Sequence, residues 1–206
     1  MRTLLFQDLP YVFPILFILI VGLFMYYPNA LVIVIGIIII IWFISIFRVE
    51  QRTNNNASNK SILSPVDGSL LEIREHSDSY TFVFFNSMFD SQVQWAPYNG
   101  KITNIEEKDG DKYVAWSLEH HNDNEQNIIT IKTDIGDMKL HKIDSWMTLK
   151  QRDFVKVGDE VKSGDTLGYI IFPARIDLTV PKSSIDPVLH PNEKVIGGKT
   201  IIAKLK

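Results

Sequence analysis

Residues 157–181 read V-G-D-E-V-K-S-G-D-T-L-G-Y-I-I-F-P-A-R-I-D-L-T-V-P, and this stretch indicates the fold class. Two Gly-Asp pairs, at Gly158 and Gly164, divide it into short segments in which apolar residues alternate with polar ones or form brief runs. Such segments are typical of β-strands joined by tight turns. We therefore predict a mainly β unit with a barrel-like or sandwich-like arrangement.

The same pattern extends through residues 61–206, which contain no amphipathic segment of helical length. Further turns are marked by Gly-containing pairs such as Asn99-Gly100 and Gly136-Asp137. Between the turns, apolar and β-branched residues predict strands at Tyr80–Phe85, Lys101–Glu106, Ile128–Thr133 and Ile201–Leu205. Residues 61–206 are therefore expected to form one β domain.

The amino-terminal part has a different composition, because no charged residue occurs from Leu9 to Phe47. A bilayer crossing takes about 20 apolar residues as a helix, so this stretch is long enough for two. Pro28 and Asn29 mark a break, and Tyr26 and Tyr27 suit a water–lipid interface. We predict a transmembrane helical hairpin within residues 1–50, with helices at about 11–27 and 30–47.

The predicted orientation of this hairpin follows from its flanking charges. Arg2 precedes it, Arg48, Arg52 and Lys60 follow it, and the turn between the helices is uncharged. Because positively charged flanks stay in the cytoplasm, an integral membrane protein with its β domain on the cytoplasmic side is expected. The polar residues 51–60 are predicted to be a linker between the two parts.

Composition excludes several classes of function. The chain has no cysteine, which excludes disulfide scaffolds, thiol nucleophiles and thiolate metal sites. Residues 61–206 hold 17 of the 21 basic and 22 of the 24 acidic residues, so this part is acidic and lacks the basic surface that nucleic-acid binding needs. His120 and His121 are adjacent and would point to opposite faces of a strand, so no metal site is predicted there.

Several motifs follow one another in a fixed order. Ser64-Pro65-Val66-Asp67-Gly68 comes first, and Phe89-Asp90-Ser91-Gln92-Val93-Gln94-Trp95-Ala96-Pro97 follows. Glu125-Gln126-Asn127 comes next, and Phe172-Pro173-Ala174-Arg175-Ile176-Asp177 closes the series. In order and spacing the chain resembles the short, membrane-anchored form of the phosphatidylserine decarboxylases, and the resemblance covers nearly the whole sequence, including the apolar head.

The resemblance implies a self-made cofactor. In this family a serine hydroxyl attacks the carbonyl of the preceding glycine, and elimination from the resulting ester leaves a pyruvoyl group that accepts electrons during decarboxylation. An aspartate and a histidine assist the serine, the histidine as base. The position of the aspartate holds Asp67, but the histidine position holds Gln92 and the Gly-Ser pair is Pro173-Ala174.

These departures predict a member of the family without the family's chemistry. An amide takes up no proton at neutral pH, and alanine has no hydroxyl from which an ester or a pyruvoyl group is made. No cofactor is therefore expected, and Gln92 and Ala174 mark lost catalytic positions beside the retained Asp67. Arg175 and Asp177, which still match the family, are the candidates for substrate binding. Expected partners are membrane lipid, phosphatidylserine in particular, and either a second copy of the chain or an active paralogue.

Two other functions remain open at this level. The Gly-Asp turns also resemble those of biotinyl- and lipoyl-type β-sandwiches, so a non-enzymatic, membrane-tethered carrier or adaptor is the alternative, with Lys139 in Met138-Lys139-Leu140 as the modified lysine. An active decarboxylase that uses an unrecognised residue is a third. The position of Trp95 and Trp146 is open too, because both the lipid interface and core packing suit tryptophan.

Overall fold

The computed structural model describes residues 17–27, 29–46, 52, 60–114, 123–148 and 150–206. The chain divides into two compact units, Met1–Glu50 and Gln51–Lys206. The predicted loop histidines His120 and His121 lie outside the described residues.

The amino-terminal unit contains the two predicted helices. Helical backbone runs over residues 17–26 (α1) and over Ala30–Ile46 (α2). Asn29 caps the start of α2, because its side-chain oxygen accepts a hydrogen bond from the backbone N–H of Leu31 at 3.0 Å. Within the described part of the chain, no helix meets the combined length and hydropathy required of a membrane span. Residues 11–16 and Phe47 of the predicted helices lie outside the described residues.

The second unit is built from β-strands, which confirms the predicted class. Its described residues form one short 3-10 helix, Lys182–Ser184, and fourteen strands: β1 Ser61–Leu63, β2 Gly68–Glu75, β3 Ser79–Asn86, β4 Val93–Trp95, β5 Gly100–Lys108, β6 Gln126–Thr133, β7 Gly136–Ile143, β8 Lys150–Asp153, β9 Glu160–Val161, β10 Thr166–Ile171, β11 Ala174–Pro181, β12 Ile185–Pro187, β13 Lys194–Val195 and β14 Ile201–Leu205.

Three sheets share one apolar core. The largest has eight strands in the order β13-β2-β3-β11-β7-β6-β5-β9 and is curled into a half-barrel. Two three-stranded sheets, β1-β14-β12 and β4-β10-β8, contribute residues to the same core cluster. The large sheet is open, since its edge strands β13 and β9 are not neighbours, so it differs from the closed barrel that was one form of the prediction.

The two Gly-Asp turns of residues 157–165 have the same construction. Gly158 and Gly164 have φ values of +101° and +87°, where glycine has no steric penalty. The carboxylates of Asp159 and Asp165 each accept the backbone N–H three residues earlier, at 2.8 and 2.7 Å. The repeat seen in the sequence is therefore a repeat of one turn geometry.

Strand β11 lies in the middle of the large sheet and fixes the position of the candidate site. It pairs with β3 on one side and β7 on the other, both antiparallel. Alternate residues of a strand point to opposite faces. Ala174, Ile176 and Leu178 belong to the apolar core, whereas Arg175 and Asp177 occupy the other face. The two faces of β11 therefore carry different candidate residues.

Candidate functional site

Ala174 stands where the family has its serine, and it begins β11. Its side chain is fully buried in the apolar core, and the residue pairs with Asn86 at the end of β3. Before it, Phe172 has a φ of +75°, a conformation that residues with a Cβ seldom adopt, and Pro173 fixes the next φ. The chain therefore makes a sharp, constrained turn just before β11, at the position that the resemblance assigns to self-cleavage.

The amide of Asn86 brings the predicted site residues together. Its Nδ2 donates to the main-chain oxygens of Asp67, at 2.8 Å, and Ser91, at 3.0 Å. Because Asn86 also pairs with Ala174, one side chain connects three motifs that are far apart in the sequence. Asn86 therefore neighbours Asp67, Ala174 and Ser91, and Ser91 is the residue before Gln92.

The Ser64–Gly68 motif is held by its own hydrogen bonds and by a close backbone approach. The hydroxyl of Ser64 donates to the main-chain oxygen of Val66 at 2.7 Å. Gly68 has a φ of +145°, and a Cβ added there would lie 2.1 Å from the main-chain oxygen of Phe85. Only glycine fits against β3 at this point, which explains the motif in terms of packing.

The carboxylate of Asp67 is fully engaged. Arg52 approaches it with both terminal nitrogens in a two-pronged ion pair, and the backbone N–H of Gly197 donates to Oδ1 at 2.7 Å. Arg52 also donates to the main-chain oxygen of Gly197 at 2.9 Å, and its guanidinium lies 4.3 Å from the centre of the Trp95 ring. Trp95 is completely buried, so core packing accounts for it.

Gln92 has a structural role that a base could not share. Its Nε2 donates to the main-chain oxygens of Ser87 and Asp90, at 2.9 and 2.7 Å, and so closes the turn between β3 and β4. The Asp90 carboxylate reinforces this turn by accepting the Ser87 hydroxyl at 2.6 Å. Gln92 is buried and its amide carries no titratable proton.

Three amide oxygens in this region have no hydrogen-bond partner among the residues that the structure describes. They are Oδ1 of Asn86 and Oε1 of Gln92 and Gln94, and all three side chains are buried. Each amide nitrogen is committed to main-chain oxygens, which fixes the orientation of the side chain. A buried acceptor without a donor costs about 1–3 kcal/mol, so these atoms favour a ligand or water that donates hydrogen bonds.

The other side of Ala174 is formed by the segment after β7. The hydroxyl of Thr148 donates to the main-chain oxygen of Pro173 at 3.3 Å and accepts the backbone N–H of Ser145 at 2.8 Å. Ser145 is buried, and its hydroxyl has no partner in the described residues. The hydroxyl of Thr148 thus holds the carbonyl of the residue that precedes Ala174.

A buried carboxylate lies in the same segment. Burial and the nearby Glu125 raise the pKa of Asp144 to about 6, although Lys112, 3.6 Å from Oδ2, opposes the rise. The Asp144 main-chain oxygen accepts the Asn124 amide at 2.7 Å, while Oδ1 has no partner among the described atoms. Asp144 therefore exchanges a proton near neutral pH, close to the start of β11.

A buried lysine shares the core face with Ala174. Lys142 pairs with Ile176 across the sheet, forms an ion pair with Asp153, and is wholly buried. Burial lowers the pKa of Lys142, and the Asp153 carboxylate only partly offsets the effect. Asn127 donates to the same carboxylate at 2.9 Å, so these three side chains form a polar cluster at the margin of the core.

Arg175 and Asp177, the predicted substrate-binding residues, are directed away from Ala174. They lie on the opposite face of β11 and bond each other in two parallel contacts, Nε to Oδ1 at 2.8 Å and Nη2 to Oδ2 at 2.7 Å. Both are buried. His141 pairs with Asp177 on this face; it is half-buried, and burial lowers its pKa.

Sequence analysis missed several residues of this region. Arg52 was assigned to a linker, and nothing in the sequence indicates its contact with residues 67 and 197. Asn86 follows a predicted strand without any distinguishing signal. Lys142 could have been found, because it shares the strand phase of Met138 and Leu140, which are buried. Lys139, the carrier candidate, is exposed but lies in the middle of β7, paired on both sides.

Comparison with known proteins relates this arrangement to a family. A family model described as phosphatidylserine decarboxylase matches residues 39–203. The chain is similar to the phosphatidylserine decarboxylase proenzymes of Carboxydothermus hydrogenoformans and Porphyromonas gingivalis. Each is 29% identical, over 181 and 186 residues, covering 83% and 86% of this chain and 84% of each relative. The proenzyme of Amoebophilus asiaticus is 30% identical over 173 residues, covering 80% of this chain and 76% of that protein.

Proposed function

Because the chain belongs to the phosphatidylserine decarboxylase family, a family of phospholipid metabolism, we propose that it serves that metabolism without making the pyruvoyl group. It is a membrane-bound member that is not cleaved and that binds an aminophospholipid head group. It pairs either with a second copy of itself or with an active paralogue. Decarboxylation by this chain alone is absent.

The observation that carries this proposal is the buried methyl group of Ala174. Conversion of the peptide to an ester needs an oxygen nucleophile on the residue after the scissile carbonyl, and elimination from that ester produces the keto group. Ala174 supplies neither the oxygen nor the leaving group. The main-chain oxygen of Pro173 accepts a hydrogen bond from Thr148, so the carbonyl is held in place, but residue 174 has no hydroxyl to attack it.

The partners that would assist such a serine are also committed elsewhere. Both hydrogens of the Gln92 amide are donated to main-chain oxygens, so this side chain removes no proton. The carboxylate of Asp67 is bound by Arg52 and by the Gly197 backbone. Replacing Ala174 by serine alone would therefore leave the hydroxyl without a base.

Binding of an aminophospholipid is supported by the three unpartnered amide oxygens of Asn86, Gln92 and Gln94. They offer only acceptors, and an ammonium group offers only donors. Phosphatidylserine and phosphatidylethanolamine carry such a group, whereas the trimethylammonium of phosphatidylcholine donates no N–H. The proposal therefore predicts selection by head-group hydrogen bonding.

Membrane attachment is supported by the surface of the amino-terminal helices. Their apolar side chains are exposed around both helices, among them Phe17, Leu19, Leu31, Ile35, Ile38 and Ile41. Such a surface is costly in water and suits hydrocarbon. We place the β unit on the cytoplasmic side, because Arg2, Arg48 and Lys60 flank the helices and no charge lies between them.

The intact mass of the purified full-length chain tests the absence of processing. One species of 23.6 kDa is expected, which is the mass of the uncleaved chain with Ala174 unchanged. The proenzyme of Carboxydothermus hydrogenoformans, purified and measured in the same way, is the control and is expected to give two chains. A cleaved product that begins near residue 174, or any fragment with a keto-acid terminus, would overturn the proposal.

Lipid selection is tested with full-length protein and vesicles that contain phosphatidylserine, phosphatidylethanolamine or phosphatidylcholine. Competition between labelled lipids is expected to favour the first two. Gln94→Met is expected to weaken this preference, whereas Gln151→Met is the matched control, since its amide oxygen is also buried without a partner but lies on β8, across β10 from β4. Equal occupancy by all three lipids would remove the head-group part of the proposal.

A further inference from the structure

Three loops and the start of β11 lie at one edge of the large sheet. Strands β3, β11, β7, β6 and β5 are neighbours in this order, and each pair is antiparallel. Consequently β3, β7 and β5 run in the same direction and end at the same edge, where β11 begins. The segments that follow these three strands therefore surround residues 172–174.

Each of these segments carries an exposed aromatic side chain. Phe89, after β3, is 77% exposed, Tyr113, after β5, is 42% exposed, and Trp146, after β7, is 60% exposed. Within the described residues of the β unit they are the only exposed aromatic residues of large size; the other large exposed apolar residues are the aliphatic Val157, Val188, Ile196 and Ile201. In the described part of the β unit, the large exposed aromatic side chains thus lie at the edge where β11 begins.

The three aromatic residues are carried by ordered turns. The turn of Phe89 is closed by the Gln92 amide and the Asp90 carboxylate. The backbone N–H of Trp146 donates to the main-chain oxygen of Tyr113 at 3.3 Å, so these two segments are joined. Large aromatic side chains that are exposed together on ordered turns leave apolar surface in water, which points to an external partner.

A lipid surface fits this edge better than a charged partner does. Aromatic side chains are favoured at the boundary between hydrocarbon and water, where one end of the ring system is apolar and the other is wet. The same chain carries helices that expose apolar side chains around their surface. The edge also carries charges of both signs, Lys108 and Lys112 beside Asp109 and Asp111, so electrostatic attraction is not the main contribution.

We propose that this aromatic edge, residues 87–92, 109–114 and 144–148, is the surface by which the β unit contacts the head-group layer of a membrane, with Phe89, Tyr113 and Trp146 as its contact residues. The turn at residues 172–174 then lies on the side of the β unit that is nearer to the lipid. The inference rests on the proposed membrane location of the chain and adds the side of the β unit that faces the bilayer.

The absence of native cysteine makes single-site labelling direct. Phe89→Cys, Tyr113→Cys and Trp146→Cys are each labelled with an environment-sensitive fluorophore in the full-length chain reconstituted into vesicles. Val157→Cys is the matched control, because Val157 is 60% exposed and lies by the start of β5, at the opposite edge. Ile33→Cys in α2 reports on the amino-terminal unit. Brominated lipids then serve as quenchers.

The expected result is quenching at positions 89, 113 and 146 that is several-fold greater than at 157, and unchanged at high salt. Quenching at 33 without quenching at the three edge positions would overturn the inference and leave membrane attachment standing. No quenching at any position would overturn both. Labels at the edge that are shielded from water but insensitive to brominated lipid would indicate a protein partner or a second copy instead, and would also overturn it.

Discussion

The two sides of Ala174 differ in the kind of side chain that surrounds it. On the β3 side Asn86, Gln92 and Gln94 are neutral amides, and their nitrogens all bond main-chain oxygens. On the β7 side Lys142 and Asp144 are buried titratable groups whose pKa values are shifted by burial. Neutral amides therefore lie on the side of Gln92, whereas titratable groups lie on the other side of Ala174.

This difference separates a side that neutral amides fix from a side that contains titratable groups. The amides on the β3 side fix the main chain as firmly as a catalytic arrangement would, because each closes a turn or joins two motifs. The β7 side still holds the carbonyl at position 173. Hydrogen bonds on both sides of Ala174 are therefore expected to stabilise the site, and substitutions on each side measure the two contributions to stability separately.

The largest effect is expected on the β7 side for Lys142→Met. The change leaves the Asp153 carboxylate with only the Asn127 amide, and a buried charge without its partner costs about 3–5 kcal/mol. Urea unfolding of the full chain in detergent measures the loss. Lys139→Met, on an exposed position of β7, is expected to change little, and Lys142→Met/Asp153→Asn should recover part of the stability. A loss as small as that of Lys139→Met would show that the buried pair is not a stabilising feature.

On the β3 side, Asn86→Ala is expected to cost about 2–4 kcal/mol. It leaves the main-chain oxygens of Asp67 and Ser91 without the donor that joins them, and buried acceptors are expensive to leave unpaired. The same unfolding measurement applies, with Asn104→Ala, an exposed asparagine of β5, as control. If both variants unfold alike, Asn86 does not connect the three motifs energetically.

The pH dependence of stability distinguishes the two sides directly. The folded chain holds the proton of Asp144 up to a pKa of about 6, above the 3.8 of the unfolded chain, so stability from this group is lost as pH rises through that interval. Asp144→Asn removes this loss. Relative to wild type, the free energy of unfolding of the variant should therefore rise by about 2 kcal/mol between about pH 4 and about pH 7.

The control for this measurement is Asp137→Asn, an exposed carboxylate of β7. Its stability relative to wild type is expected to stay constant over the same interval. A pH profile of Asp144→Asn parallel to that of wild type would mean that Asp144 titrates normally in the folded chain.

The smallest effect is expected for Thr148→Val, about 1–2 kcal/mol, because the long hydrogen bond to the main-chain oxygen of Pro173 and the one from the backbone N–H of Ser145 are both lost. Thr148→Ser keeps the hydroxyl and should restore the stability of wild type. If serine and valine behave alike, the hydroxyl does not hold the carbonyl at position 173.

Much of the fold could be predicted from local sequence. The strands at Tyr80–Phe85, Lys101–Glu106, Ile128–Thr133 and Ile201–Leu205 were found within a few residues, since alternation and turn glycines act over short distances. The Gly-Asp turns were found for the same reason. That the large sheet is open was not predictable, because the strand order depends on pairing between strands that are distant in the chain.

The candidate site was predictable only where it follows a motif. Asp67, Gln92 and Ala174 were identified by resemblance, and the structure brings their segments together at Asn86. Arg175 and Asp177 bind each other on the face of β11 opposite Ala174, and their role in substrate binding stays a prediction. Their separation from Ala174 follows from the alternation of residues along a strand, whereas their mutual contact was visible only in the structure.

By itself the sequence determined what this chain lacks: a hydroxyl at position 174 and a base at position 92 are properties of covalent structure, which no folding changes. It also determined the turns and strands, because these depend on neighbouring residues. Only the tertiary structure decided which atoms meet, namely Asn86 with Asp67, Arg52 with Asp67, Thr148 with Pro173, and the aromatic residues at a single edge. Such contacts depend on how strands distant in sequence pair and pack, and that arrangement is fixed by the whole sheet rather than by any one segment.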